Sequence, residues 1–306
     1  MFLKKKEIKE IERNIITITK EQARNLLPIR YSNSNKGTYG SVLNIAGSAN
    51  YPGAALLSSV SALKAGAGLV CLASEGGTIA AAASNTPDIT FLQIADADKR
   101  TVSKDSIKFL KDISRYKAVS LGCGMSIEKP AVDFVLKFLN KNIKSDKPFI
   151  IDADAINALS TASSMPIPAN AVVTPHPLEL SRLMDMDVEE IQSDRLRAAC
   201  MAADYLGCIV VLKGKETVIA APMEADVYIN PTGNSALAKG GSGDVLTGMI
   251  TGFAAQGLKL IEACILAVYL HGRAGELASN VLSEYSVLAS NLINYIPAAI
   301  KDLQGY

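Results

Sequence analysis

The chain has no tryptophan, two histidines and few aromatic residues of any kind, 6% of 306. With His176 and His271 as its imidazoles and no Cys-x-x-Cys pair among Cys71, Cys123, Cys200, Cys208 and Cys264, it lacks the donor clusters of a zinc centre. No metal-ligating set is assigned. An odd number of cysteines scattered through apolar runs argues against a disulfide framework and fits reduced, buried thiols in a cytoplasmic protein. Excess charge of either sign is missing too. The 31 basic residues stand against 30 acidic ones, so the balance implies no surface for nucleic acid. Also absent is an unbroken hydrophobic run. Between Ala49 and Ser74 the one charge is Lys64, but Pro52, several serines and the Gly66-Ala-Gly68 break divide the stretch into a buried helix and a buried strand, not a membrane span. The lysine- and glutamate-rich start lacks the apolar centre of a signal peptide. Its pattern predicts a solvated helical extension over residues 1–20, with Leu3, Ile8, Ile11 and Ile15 on the inner face.

What is present is an apolar content of 49%, ample for one core, so residues 1–306 are read as a single domain. Short β-branched runs alternate with helix-period segments from about residue 40 onward. Strands are predicted at Val42–Ala46, Leu69–Ala73, Ala118–Leu121, Phe149–Ile151, Ala171–Thr174 and Ile209–Leu212, with a further strand pair at Thr217–Ala220 and Asp226–Ile229. Helices are predicted at Gly53–Ala65, Ala131–Asn140, Val188–Leu206, Val245–Gln256, Ile261–Asn280 and Val287–Leu303, the last interrupted near Pro297. This alternation specifies an α/β fold, a doubly wound, mostly parallel sheet flanked by helices.

The unusual residues follow the strands: Gly47-Ser48, Gly122-Cys-Gly124, Asp152-Ala-Asp154, Pro175-His176-Pro177 and Lys213-Gly214. In open parallel sheets the carboxyl ends of the strands form the ligand crevice, so these loops converge on one cleft. The strongest local signal is Gly240-Gly-Ser-Gly-Asp244, a glycine loop feeding a helix. Free amides and the positive end of the macrodipole favour phosphate oxygens there, and Gly241, Ser242 and Gly243 form the expected anion hole. Asp244 reads either as a general base beside the phosphate or as a helix-start acid with no chemistry. His176, held extended between prolines, could donate to a phosphate, stack on a ring or bond to backbone. His271, mid-helix, reads as a packed residue. Lys213 and Lys239 could meet phosphate or solvent. Asp152 and Asp154 could assist magnesium through water, or Asp152 could satisfy backbone amides after its strand.

Lys36-Gly-Thr-Tyr-Gly40, Ala46-Gly-Ser48, Gly53-Ala-Ala55, Asp152-Ala-Asp154, Thr174-Pro-His-Pro177, Lys213-Gly214 and Gly240-Gly-Ser-Gly-Asp244, in that order, resemble the ADP-dependent NAD(P)H-hydrate dehydratases of the ribokinase-like superfamily. The resemblance covers roughly residues 20 to 300, and no epimerase domain of the kind bifunctional relatives carry is read ahead of it. It implies a ribokinase-like three-layer sandwich and a repair reaction: ADP-dependent dehydration of the S epimer of hydrated NADH or NADPH, releasing AMP and phosphate. It implies Asp244 as base; Ala55, Gly124, His176 and Asp244 at the hydrated dinucleotide; and Lys213, Gly214, Lys215, Glu216, Thr217 and Gly243 at the adenine nucleotide. ADP as phosphoryl donor, Mg2+ and a symmetric homo-oligomer, taken as a tetramer, come with it. The chain departs from the family pattern at Gly122-Cys-Gly-Met-Ser126, where Gly-Pro-Gly-Leu-Gly is usual, at Leu178 in place of glycine, and at Glu276 in place of aspartate. A ribokinase-like kinase acting on a vitamin-precursor alcohol is the same-fold alternative, and a nucleotide sensor without turnover is the different-class one.

Overall fold

The computed structural model describes residues 12–305, and strands β1 Asn14–Thr17, β2 Ser41–Ile45, β3 Leu69–Glu75, β4 Thr90–Ala95, β5 Ala118–Leu121, β6 Phe149–Ile151, β7 Ala171–Val173, β8 Ile209–Leu212, β9 Val218–Ala220 and β10 Asp226–Ile229 join in one sheet. Their spatial order is β1-β10-β9-β8-β7-β6-β5-β2-β3-β4. Pairing is parallel except at β9, which runs antiparallel to both neighbours as the predicted strand pair requires. From β5 the chain steps outward one way and from β2 the other, so the β2–β5 boundary is the topological switch point, the place at which open α/β sheets bind ligands.

The helices are α1 Lys20–Leu26, α2 Pro52–Lys64, α3 Gly76–Ala83, α4 Lys129–Lys141, α5 Asp154–Ser160, α6 Pro177–Met184, α7 Val188–Ser193, α8 Arg195–Leu206, α9 Ser242–Ala255, α10 Leu260–Leu282 and α11 Ala289–Gln304. One apolar cluster lies between the sheet and α2, α9, α10 and α11; a second, with Phe134, Phe138 and Phe149, lies under α4, α5, α6 and α8 on the opposite face. The result is three layers. A closed polar network crosses the first interface: Asn44 of β2 donates to Ser58 Oγ (2.8 Å) and Ser59 Oγ (2.9 Å) of α2 and accepts from Ser120 of β5 (2.8 Å). Buried amides require such partners, and this one ties α2 to the switch point.

Several elements differ from the sequence reading. Residues 1–11 of the predicted N-terminal helix lie outside the described residues, but Asn14–Thr17 is an edge strand parallel to β10, with Ile15 60% exposed instead of inward. Two consecutive β-branched residues beside an open sheet edge favour a strand over a helix end. The predicted helix 188–206 is two, broken at Asp194, whose side chain caps α8 by accepting from Arg197 N (2.9 Å). Pro297 lies inside a continuous α11. The strand β4 and helices α1, α3, α5 and α6 were not marked by periodicity alone, because each helix is at most two turns long.

Candidate active site

At the switch point the loops after β2 and β5 are bonded together: Gly47 N donates to Cys123 O (2.8 Å) and Ser48 Oγ to Gly124 O (2.8 Å). Gly124, at φ +63, has Tyr51 and Ala54 side chains 2.7 Å from where a Cβ would stand, so this strip of backbone is exposed to the cleft only because it is glycine. The loop ends at Ser126, also left-handed (φ +79), and Asp154 Oδ2 accepts its amide at 2.8 Å. Thus it is Asp154, not Asp152, that satisfies a backbone amide.

The helix beyond the glycine loop starts at Ser242, three residues before the predicted Val245, which places Asp244 inside its first turn. Gly241, at φ +91, is its N-cap, pressed so closely on Leu57 and Ala289 that a Cβ would lie 2.6 and 2.9 Å from them. The Ser242 amide donates to Lys239 O (3.2 Å) and the Val245 amide to Gly241 O (3.2 Å). Among the described residues no partner takes the Gly243 and Asp244 amides. Of the Gly241–Gly243 set read in the sequence, the Ser242 amide closes the turn, while the Gly241 and Gly243 amides, with that of Asp244, stay free among the described residues.

Asp244 is partly exposed beside Cys123 and Asp152, and the ligand atoms of these three lie within 4.8 Å of one another. Burial and then the Asp152 charge push its carboxyl up to about 7, against the opposing thiol hydrogen bond of Cys123. Asp152 is itself buried but held below the usual carboxylate range, since Lys213 and Thr247 outweigh its desolvation. Its Oδ1 meets Lys213 Nζ at 2.8 Å and its Oδ2 accepts from Thr247 Oγ1 at 2.6 Å. Burial alone would push Lys213 down, but Asp152 and Glu179 (3.7 Å) raise it and keep it protonated. A cation is thereby fixed beside Gly243, whose Cβ position is 3.2 Å from Lys213 Nζ.

His176 caps α6 from an extended conformation (φ −81°, ψ 167°): its Nδ1 accepts from Glu179 N (3.2 Å), and its own amide donates to Glu179 Oε2 (2.8 Å). Nδ1 is therefore unprotonated in the neutral ring, and Nε2–H, on a side chain 46% exposed, lies 3.4 Å from Glu179 Oε1. Burial pushes the imidazole down, with Glu179 opposing. The backbone-bonded reading of His176 thus holds for Nδ1.

Gly214, Lys215 and Glu216 form an exposed turn after β8, with Thr217 Oγ1 closing it on Gly214 O (3.0 Å). Ala55 is fully buried in α2, its Cβ against the Gly47 turn, so the structure does not bring it to the cleft surface. Lys239 is exposed. Sequence reasoning missed Glu179, Thr247 and the thiol of Cys123. Only Glu179 had a local signal, the capping-box spacing three residues after His176. As for cations, magnesium takes oxygens and keeps waters, whereas burial holds the Cys123 thiol protonated and both Asp152 oxygens are engaged. The donor set fits a magnesium ion that arrives on nucleotide phosphates and is met through water.

A sequence model described as NAD(P)H-hydrate dehydratase matches residues 42–298. The ADP-dependent (S)-NAD(P)H-hydrate dehydratase of Bacillus subtilis is 36% identical over 288 residues, 94% of this chain and 99% of that protein. The chain belongs to the NAD(P)H-hydrate dehydratase family. The bifunctional NAD(P)H-hydrate repair enzyme of Moorella thermoacetica is 38% identical over 290 residues, 94% of this chain but 54% of that enzyme, so the chain spans about half the length of such two-function relatives. A Bacillus subtilis ADP/ATP-dependent NAD(P)H-hydrate dehydratase, co-crystallized with ATP/Mg2+, superposes with a TM-score of 0.80 at 35% identity, covering 95% of this chain and 99% of that one. A ribokinase-like superfamily protein of Enterococcus faecalis gives 0.82 at 26% identity, covering 94% and 96%. The architecture is ribokinase-like. A hydroxyethylthiazole kinase from Pyrococcus horikoshii, at 13% identity and TM-score 0.59, shares the fold alone.

The departures from the family pattern have local explanations. Ser126, where glycine is usual, stands in the left-handed region that glycine favours, with Asp154 holding its amide. Leu178 projects to solvent, 45% exposed, on the first turn of α6. Glu276 reaches Gly233 N (2.7 Å) and pairs with Arg273, so it braces the 230–241 loop from α10 and stands outside the carboxylate cluster.

Proposed function

We propose that this chain is a hydro-lyase of nicotinamide nucleotide repair, dehydrating the S epimer of hydrated NADH or NADPH at the expense of ADP and releasing AMP and phosphate. The observation that carries this reading is a carboxylate poised near neutrality on the same helix turn as two free amides. A base is most effective when its pKa lies near the working pH. Asp244 takes the proton of the hydroxyl on the ring carbon beside nitrogen, and the oxygen attacks the terminal phosphorus of ADP, displacing AMP. The Gly243 and Asp244 amides and Lys213 stabilise the charge growing on the phosphoryl oxygens. The resulting ester leaves well where hydroxide would not. The ring nitrogen's lone pair expels phosphate, and loss of a proton from the neighbouring ring carbon restores the double bond of NAD(P)H.

In this arrangement Gly124 and the Nε2–H of His176 hold the hydrated dinucleotide, with its hydroxyl at Asp244, while Ala55 acts by packing beneath Gly47. The turn Lys213-Gly214-Lys215-Glu216-Thr217 lies along the adenine nucleotide, whose last phosphate sits at Gly243. A magnesium ion carried on the phosphates would supply charge neutralisation, and Asp152 and Asp154 would hold it through water. The test is incubation with hydrated NADH and ADP. Reduced-nicotinamide absorbance should return with equal AMP and phosphate, and Asp244→Ala should lower kcat by at least about a hundredfold, the scale of losing general-base catalysis, with nucleotide binding retained. A stable phosphate ester formed from ATP and a vitamin-precursor alcohol would instead make the protein a kinase; tight ADP binding with no conversion would make it a sensor.

A further inference from the structure

The glycine loop is fastened along its length to α10. Asn230 Nδ2 bonds Val268 O (3.4 Å), Thr232 Oγ1 bonds Tyr269 O (2.9 Å), Gly233 N bonds Glu276, and Asn234 Nδ2 bonds Ser279 Oγ (2.8 Å). A Cβ on Gly272 would stand 2.1 Å from Thr232 Oγ1, so the two backbones touch. The last contact reaches the phosphate site itself. His271, 7% exposed, places Nε2 3.0 Å from Ser242 O and 3.2 Å from Ser242 Oγ.

We infer that His271 is a positioning residue for phosphoryl transfer: its Nε2–H, donating to the carbonyl and hydroxyl oxygens of Ser242, fixes the first turn of α9 and frees the Ser242 hydroxyl proton for a phosphate oxygen of the nucleotide. A carbonyl oxygen can only accept, so the proton must sit on Nε2. Burial, joined by the Lys213 charge, pushes the imidazole down to about 4, and the ring stays neutral with a single N–H. Ser242 Oγ therefore receives that N–H, and among the described residues no other side chain or carbonyl takes its own proton. Ser242 is itself 6% exposed and immediately precedes the free Gly243 amide. A buried hydroxyl with an unspent proton beside an anion hole is a third donor to the same oxygens.

The inference rests on the phosphoryl-transfer reading of this loop, and its test is arranged so that either can fail alone. His271→Leu removes the donor, His271→Gln keeps an N–H, and Ser242→Ala removes the hydroxyl. Leu and Ala should each lower kcat roughly ten- to a hundredfold, at or below the scale of one lost oxyanion donor, with KM for hydrated NADH little changed. Gln should recover most of the loss, and the Ser242→Ala/His271→Leu double variant should be no worse than either single one. Nitrogen-15 spectra of the wild-type ring should show Nε2–H at pH 7, unchanged to pH 5. An Nδ1–H tautomer, a double variant with additive losses, or a folded His271→Gln as slow as His271→Leu overturns the inference. Should His271→Leu not fold, the ring spectrum and the Gln variant decide. If wild type does not turn over hydrated NADH, the repair reading fails. The inference is then judged by the spectrum and by calorimetric ADP affinity, which Ser242→Ala should weaken and His271→Gln should spare.

Discussion

Asp244 acquires its chemistry from its surroundings. Burial and the Asp152 charge push its carboxyl up to about 7 from 3.8, so with Asp244 as the proposed base activity should fall as pH drops below about 7 and the carboxylate becomes protonated. Asp152→Asn removes the nearest like charge, and the acid limb of kcat/KM should move to lower pH; a limb that stays in place would remove Asp152 from the explanation. Ser126 is a second residue whose behaviour follows from one dihedral angle. At φ +79 a non-glycine residue costs roughly 1–2 kcal/mol, while glycine adds roughly 0.5–1 kcal/mol of unfolded-state entropy. Ser126→Gly also gives up the bond from Glu128 N to Ser126 Oγ (3.1 Å), so stability should change by less than about 1 kcal/mol in denaturant titration, with the Asp154 bond intact. Neither consequence is visible in composition, since one depends on burial and the other on a turn imposed by loops meeting at the switch point.

Among the elements, α2 and α9 determine where the free amides of the glycine loop stand. They approach so closely that a Cβ on Gly248 would lie 2.0 Å from Ser61 Oγ and 2.1 Å from Ser58 O, and one on Gly252 would lie 2.5 Å from Ala62 O. Gly248→Ala should force the pair apart, costing about 1–3 kcal/mol as overpacking does. It should also move the tip of α9, so kcat should fall together with the melting temperature. Activity unchanged despite the lost stability would show that the tip is held from α10 alone. The strands β5, β6 and β8 were legible residue for residue, because short β-branched runs bounded by glycine, proline or acids have few other readings. The two-turn helices α5 and α6 were not. The His176 cap holds α6, whereas α5 has no side-chain cap and is held by burial against the sheet, and both have too few residues to display a helical period.

For the whole molecule, the doubly wound order turns loops distant in the chain into one wall, with Thr247 bonded to Asp152 across 95 residues of sequence. Val281, Tyr285 and Leu288, at 70%, 90% and 56% exposure, leave an apolar surface at the turn between α10 and α11. The expected homotetramer should sediment near four times the 32.3 kDa chain mass, and Tyr285→Ser should weaken it if this surface is buried on assembly. A monomer at all concentrations would set that expectation aside. Amino-acid order by itself determined the alternation of strands and helices, the carboxyl-edge cleft and the glycine loop with its acid, because hydrophobic period and the freedom of glycine are local properties. Only the tertiary structure decided which amides stay free, that Asp152 is tied to Lys213, that Asp244 titrates near neutrality and that His271 reaches Ser242. Those outcomes depend on burial and on contacts between remote segments, which exist only once the sheet has closed over its two helical layers.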